Sequence, residues 1–250
     1  MLEPLEMSDV TRRSGPVVLV PAYNAGSTVG DVVAGILAKG LPVLVVDDGS
    51  SDDTGDKAQA AGATVLRHPQ NRGKGAAIQT GFAYAQKLGA SALLTMDADG
   101  QHDTAELENL LAAHKKQPDA LIIGVRSFDP QVMPRRSRIG NRISTYWISL
   151  FAKRRHHDTQ SGFRIYPQRL FSLPLRTRRF DTETEILLWA AKLHIPLVEI
   201  PIATIYHGEH RSHFRNWEDT LRVIRLVICS PLWRVDPEAG AMPHGMTEAL

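Results

Sequence analysis

Five short apolar runs, most halted by a polar turn and followed by a helical stripe, constrain this chain more than any other feature. Pro16–Pro21 (PVVLVP) ends at Ala22-Tyr23-Asn24-Ala25-Gly26-Ser27. Val29, Val32, Val33, Ile36 and Leu37 then fall on one helical face. Asn24 or Ser27 is expected to cap that helix, and Gly40 to close it. Leu41–Val46 stops at Asp47-Asp48-Gly49-Ser50-Ser51-Asp52-Asp53-Thr54, and a second helix runs to about Ala61. Ala63–Arg67 is a short third strand; Asn71-Arg72-Gly73-Lys74-Gly75 opens a helix through Ile78, Phe82 and Leu88. Leu93–Met96, the helix Thr104–Lys116 and the strand Ala120–Val125 follow. Continuous apolar strands joined through helices by short connections give an α/β fold. It is a Rossmann-like, mostly parallel sheet with helices on both faces. The polar turns after three of these strands then lie at one sheet edge, where such sheets bind ligands.

The most informative turn is Leu93–His102, LLTMDADGQH. Asp97 and Asp99 are two apart, so in extended chain both carboxylates face one point. Two hard oxygen donors at a strand end suit Mg²⁺ or Mn²⁺ shared with substrate phosphates. The competing reading is a polar turn that Asp97 caps and Gly100 closes.

The second half is less regular. Ile139, Ile143, Tyr146, Trp147, Leu150 and Phe151 keep helical spacing between basic clusters (Arg135, Arg136, Arg138, Arg142; Lys153, Arg154, Arg155). Basic and aromatic residues interleaved over 134–157 read as a helix lying in a membrane interface, or as a core helix with a charged outer face. Leu221–Trp233 is a second stretch of that kind. A helix is expected around Thr182–Leu193 and a strand at Leu197–Ile200. Residues 1–14 read as a flexible leader, 15–230 as one domain and 231–250 as a flexible tail.

A net charge of +2 gives no argument for nucleic acid as a partner. The single cysteine, Cys229, excludes an intrachain disulfide and fits a reducing compartment. No signal peptide and no run of about 20 apolar residues is expected. Asn71–Gly75 lacks the spacing, and the Ser/Thr after the lysine, of a phosphate-binding P-loop.

Seven stretches occur in order: VPAYN (20–24), DDGSSDDT (47–54), NRGKG (71–75), MDADGQH (96–102), DTQSGFR (158–164), FDTETEI (180–186) and RSHF (211–214). Together they resemble the family 2 inverting glycosyltransferases of the GT-A fold. The closest subgroup is the dolichyl- and polyprenyl-phosphate mannosyl- and glucosyltransferases. The resemblance covers about residues 15–230, with 15–126 as the nucleotide-sugar half and 127–230, including C-terminal acceptor and interface helices, as the acceptor half.

The resemblance implies roles residue by residue. Pro21, Ala22, Tyr23, Val46 and Asp48 match positions that hold the nucleotide; a carboxylate at Asp48 suits uracil or guanine N–H groups equally. Asp47 is read as the turn residue beside it. Lys74, Asp97, Ala98, Arg126 and Arg211 match the nucleotide-sugar contacts. Asp97, Asp99 and Gln101 match the metal site for Mg²⁺ or Mn²⁺. Arg138, Ser161, Arg164, Glu183 and Ser212 match the acceptor side, and Asp99, Asp158 and Arg211 the catalytic set. Gly162 is expected to permit close backbone approach. Glu183 and Glu185 are alternatively surface charges of a helix. Tyr206–His213 resembles a basic lid over the donor diphosphate, in preference to a zinc site built on His207, His210 and His213.

The implied reaction is metal-dependent hexose transfer from GDP-mannose or UDP-glucose to a lipid phosphate, peripherally at the inner, cytoplasmic face of a membrane, with a separate membrane protein as a further expected partner. An anionic phosphate acceptor needs no general base, so Asp158 binds metal or positions the acceptor. A hydroxyl acceptor would make Asp158 the base. A non-catalytic nucleotide- or lipid-binding module is a further alternative. A sugar-1-phosphate nucleotidyltransferase is disfavoured by the missing glycine-rich loop after the first strand.

Overall fold

The structure, a computed structural model, describes residues 15–126, 161–179 and 181–202, together with Leu226, Ser230 and Trp233. Twelve elements follow in chain order: β1 (Val17–Ala22), α1 (Val29–Leu37), β2 (Val43–Asp47), α2 (Thr54–Ala60), β3 (Thr64–Arg67), α3 (Lys74–Lys87), β4 (Ala92–Thr95), α4 (Glu106–Lys116), β5 (Leu121–Arg126), β6 (Arg164–Pro167), α5 (Asp181–Lys192) and β7 (Leu197–Ile202). The strands form one sheet in the order β3-β2-β1-β4-β6-β5-β7. All neighbours run parallel except β6, which is antiparallel to both β4 and β5.

Alternation along each strand divides the core into two layers. Val18 and Val20 join Val33, Ile36, Leu107 and Leu110 from α1 and α4 on one face. Val17 and Leu19 join Ile78, Phe82, Ile186 and Leu187 from α3 and α5 on the other. β1 is thus covered on both sides, which is why its sequence is a continuous apolar run. Gly81 lies directly over this strand: a Cβ there would stand 2.4 Å from Leu19. Phe82 packs edge-on against Tyr166 of β6, with ring centroids 5.2 Å apart.

Three expectations change. The strand β6 is absent from the sequence reading, because four residues of mixed character, RIYP, carry no periodic signal. Neither Asn24 nor Ser27 caps α1: no side chain caps its first turn. Asn24, at φ 50°, instead accepts hydrogen bonds from the backbone N–H of Ser51 at 2.9 Å and from its hydroxyl. Glu183 and Glu185 are buried rather than surface charges. The folded contacts also run past residue 230: Trp233 stacks on Trp189 at 5.0 Å, and Lys192 Nζ donates to the carbonyls of Ser230 and Trp233. Gly40, at φ 72°, does close α1, its N–H reaching the Leu37 carbonyl.

The basic and aromatic stretch 134–157, the expected lid at 206–213 and most of 221–233 lie outside the described residues. Among the described residues, no helix is long and apolar enough to cross a membrane.

Candidate active site

β1 is the switch point of the sheet: the chain builds outward through β2 and β3, then returns to place β4 on the other side of β1. Crevices form at such points, at the carboxyl ends of the strands. Three loops meet there, and each is held by a different kind of bond.

The loops after β1 and β2 are laced together by neutral and charge-assisted hydrogen bonds. Asn24 N–H donates to Ser50 Oγ, Ala25 N–H to Thr54 Oγ1 and Gly26 N–H to Asp52. Asp47 Oδ1 accepts the Ser50 N–H at 3.0 Å, the turn role expected of it. Tyr23 stands at the rim, 49% accessible, as the one exposed large hydrophobic side chain among the described residues. Pro21 is half-buried, while Ala22 and Val46 are buried, Val46 within the core layer below the cleft.

Asp48 is nearly inaccessible and its carboxylate is already occupied. Oδ1 lies 2.6 Å from His68 Nδ1 and accepts the Arg72 N–H at 3.0 Å; Oδ2 accepts the Gly73 N–H at 2.7 Å. His68 Nε2 is 2.9 Å from Thr80 Oγ1. Asp48 and His68 therefore fix the Asn71–Gly73 loop, which leads into α3 and sets the position of Lys74. The sequence reading passed over His68; its only signal was a histidine directly after the short strand β3, at the same sheet edge as Asp47-Asp48. Gly73 adopts φ 96°, and a Cβ there would meet the Arg178 carbonyl at 2.4 Å, so this turn requires glycine.

At the centre, Lys74 Nζ lies 2.6 Å from Asp97 Oδ1 and 3.2 Å from Glu183 Oε1. Burial draws the Lys74 ammonium down, but the two carboxylates outweigh it and hold its pKa above the ordinary lysine value. Burial likewise pushes Asp97 up, and Lys74 with His102 reverses this, holding the carboxyl well below the usual range. His102 Nε2 lies 3.8 Å from Asp97 Oδ2, and its ring stacks on Phe163 at 5.1 Å. Gly162 presses against this pair: a Cβ would stand 2.4 Å from Asp97 Oδ2 and 2.7 Å from Lys74 Nζ. The Gly162 carbonyl is held by Thr95 Oγ1 at 2.7 Å. Close approach at Gly162 was expected; its cause is steric, since no positive φ is involved.

Asp99 differs from Asp97. It is exposed, and the Gln101 N–H donates to its Oδ1 at 3.0 Å. Partial withdrawal from water and the adjacent Asp97 charge push its pKa up. The Ala98 carbonyl between them accepts from Thr28 Oγ1 at 2.6 Å, tying this loop to the start of α1. Among the described residues, no group of three or more His, Cys, Asp and Glu side chains is arranged to hold a metal ion.

On the acceptor side, Ser161 and Arg164 are buried. Arg164 donates from Nε to the Ser161 carbonyl at 2.7 Å and from Nη1 to the Glu183 carbonyl at 3.0 Å, so it ties the Gly162 turn to α5. Glu183 faces Lys74, and Glu185 accepts the backbone N–H groups of Arg176 and Thr177. Asp158, Arg138, Arg211 and Ser212, and the side chain of Arg126, lie outside the described residues.

Comparison with known proteins decides what kind of cleft this is. Residues 17–173 match the family described as Glycosyl transferase family 2. The chain belongs to that family. This glycosyltransferase is 28% identical, over 76% of its length and 85% of the relative's, to a protein of Methanococcus voltae named UDP-N-acetylglucosamine–dolichyl-phosphate N-acetylglucosaminyltransferase. It is 31% identical to the polyprenol monophosphomannose synthase of Mycolicibacterium smegmatis, over 60% of each chain. Among solved structures, glucosyl-3-phosphoglycerate synthase from Mycobacterium tuberculosis in complex with UDP superimposes with a TM-score of 0.71. That match covers 92% of this chain and 86% of the other at 16% identity. It shows the GT-A glycosyltransferase fold.

Proposed function

We propose that this enzyme transfers a hexose, with inversion, from a nucleoside diphosphate sugar to the phosphate of a polyprenyl or dolichyl lipid, peripherally at the inner face of a membrane. The observation that carries the reading is the Lys74–Asp97–Glu183 centre, which brings the start of α3, the loop after β4 and the start of α5 together. Relatives named for dolichyl-phosphate and polyprenol acceptors support the acceptor class.

The roles follow from the geometry. Tyr23 offers a flat face for the base, with Pro21 and Ala22 as the wall beneath it and Val46 behind. Asp48 acts from beneath the base: its carboxylate is taken up by His68 and the Arg72 and Gly73 N–H groups, and so fixes the Asn71–Gly73 loop. The Lys74 ammonium, kept charged by its two carboxylates, stabilises the departing nucleoside diphosphate, as do Arg126 and Arg211. Structures of glucosyl-3-phosphoglycerate synthase have been solved with Mg²⁺ and UDP and with Mn²⁺ and UDP. The donor set here fits such a cation. Asp99 is a carboxylate whose pKa is raised by partial withdrawal from water and then by the Asp97 charge, with Asp97 and Gln101 beside it, and a hard divalent ion takes one or two carboxylates plus substrate phosphates. When bound, that ion supplies charge stabilisation to the diphosphate. Ser161, Arg164 and Glu183 shape the acceptor side, with Arg138 and Ser212. In the transfer, an acceptor phosphate oxygen bonds to the anomeric carbon as that carbon's bond to the diphosphate oxygen breaks. The acceptor is already an anion, so no proton need be removed and Asp158 acts by positioning.

Incubation with radiolabelled GDP-mannose or UDP-glucose, Mg²⁺ or Mn²⁺ and a short polyprenyl phosphate in detergent tests this. Labelled lipid from one donor, retained in Asp158→Asn, is the expected result. Hydrolysis of donor without labelled lipid would remove the lipid phosphate from the reading.

A further inference from the structure

Two loops at the rim of the cleft abut and carry four arginines. Arg72 precedes Lys74; Arg176, Arg178 and Arg179 precede α5. Ala76 N–H donates to the Arg178 carbonyl at 3.0 Å, and Gln79 Nε2 to the Thr177 carbonyl at 2.6 Å, so the loops form one ridge. All four arginine residues are exposed. Among the described residues, their side chains form no ion pair; Asp181, two residues on, accepts the backbone N–H of Arg179.

The ridge is held rigid from below. Asp48, buried, accepts the Arg72 N–H, and Glu185, wholly buried, accepts the Arg176 and Thr177 N–H groups and the Thr177 hydroxyl. Two interior carboxylates thus fix the backbone of the arginine-bearing residues and leave the guanidinium groups in water. Other exposed cations are either paired, as Lys39 is with Glu108, Lys57 with Asp53 and Arg67 with Asp56, or scattered, as Lys87 and Arg169 are; the ridge is distinguished by four cations on two abutting loops. With a net charge of only +2, the ridge is a local excess.

We propose that the Arg72/Arg176/Arg178/Arg179 ridge is a contact surface for an anionic phospholipid bilayer, which turns the mouth of the cleft toward the lipid. This rests on the proposed acceptor class: a lipid phosphate cannot leave its leaflet, so the rim at α5 must approach the headgroups. Guanidinium groups suit phosphate oxygens. Four of them on one ridge match a negatively charged plane within a Debye length, whereas they are too few and too local to track a nucleic acid.

The full chain is floated with vesicles of neutral phosphatidylcholine and with vesicles containing about a third anionic phosphatidylglycerol. Binding is expected only to the anionic vesicles, weakening from low to high salt. A triple variant, Arg176→Gln with Arg178→Gln and Arg179→Gln, leaves the backbone bonds to Glu185 intact. It is expected to lose roughly a hundredfold in partitioning, about fivefold per basic residue. It should keep its melting temperature and its turnover of a short polyprenyl phosphate in neutral detergent. Equal binding to both vesicle types, or unchanged partitioning of the variant, overturns the proposal. So does preferential retention by an oligonucleotide or an acidic protein. Loss of detergent turnover in the variant also overturns it, by placing these arginines at the reacting groups. If the wild-type chain binds anionic vesicles through the ridge yet transfers no sugar, the surface stands and the functional reading fails.

Discussion

The two sides of the cleft are built on opposite plans. On the β1–β2 side the loops are closed circuits. Asn24, Asp48, Asp52 and Thr54 each find partners in a neighbouring loop, and Asp47 closes its own turn. The Asp97–Gln101 loop after β4 is held differently: the Lys74 ion pair, a contact to His102 and a hydrogen bond from Thr28 Oγ1 fix it, and Asp99 stands exposed beside another negative charge. Among the described residues, the first side is tied by hydrogen bonds between loops and the second by the Lys74 ion pairs, with Asp99 left exposed beside Asp97; under the proposed function the first side holds the base and the second the diphosphate and its cation.

The sharpest way to break this contrast is to remove the charge at its centre. Asp97→Ala leaves Lys74 with Glu183 alone and deletes one proposed metal ligand. Transfer is expected to fall by about a thousandfold, read as initial rates at saturating donor, while the far-ultraviolet spectrum stays native. A loss below tenfold would mean that the charged side is not where the reaction is stabilised. Gly162→Ala tests the same centre through shape. Its Cβ would stand 2.4 Å from Asp97 Oδ2, so the pair must shift. A displacement approaching 1 Å costs on the order of a hundredfold in turnover. Stopped assays on Gly162→Ala and Gly124→Ala, side by side, separate this from general crowding, because the Cβ at Gly124 meets only apolar side chains at 3.0 Å or more.

The closed side should respond to mutation differently. His68→Ala removes one support of Asp48 and loosens the Asn71–Gly73 loop while deleting no charge from the Lys74–Asp97–Glu183 centre, and Lys74 keeps its two carboxylate partners. Donor KM is expected to rise roughly tenfold with kcat nearly unchanged, the signature of lost ground-state binding. A fall in kcat at constant KM would instead put His68 among the groups that act in the transition state.

How far the sequence disclosed this contrast depends on the kind of bond involved. The parallel strands were legible because burial on both faces leaves uninterrupted runs such as VVLV. Asp97 and Asp99 stood out by their spacing, two apart after an apolar run, though a polar turn explained them as well, and Lys74 stood out only through the resemblance carried by NRGKG. β6 was not legible: its four residues are selected by the gap between β4 and β5, a tertiary demand with no local period. Nor was the burial of Glu183 and Glu185, since a DTETEI helix start reads as a solvated turn until Lys74 and the Arg176–Thr177 amides are placed against it. Arg164 illustrates the same limit. Its motif suggested a phosphate ligand, yet the guanidinium is interior and donates to two backbone carbonyls. Sequence spacing reports which residues share a strand end and is silent about which buried charge will meet which.

The smallest expected effect is one of stability, and it follows from the signs of the shifts. Asp97 is depressed, so its contribution to stability is present above the unfolded carboxylate pKa of about 3.9 and is lost as pH falls below it. Lys74 is raised, so its contribution is full below about 10.4 and is lost only as pH climbs beyond that value. Both therefore favour the native chain throughout the neutral range. Asp99 runs the other way: its raised pKa means that the ionised form is less welcome in the folded chain than in the unfolded one. Asp99→Asn should accordingly stabilise the ligand-free protein at pH 7. Because Asp99 is exposed and screened by water, the gain is small, about 1–2 °C in Tm. At pH 3, where the carboxyl is protonated in both states, the gain should vanish. Thermal melts of the two proteins at pH 7 and pH 3, with and without Mg²⁺, read this directly. Added Mg²⁺ should raise the Tm of the wild type and leave Asp99→Asn unmoved. If the variant melts lower than the wild type at pH 7 without metal, Asp99 is a structural carboxylate, and the open side of the cleft is as closed as the other.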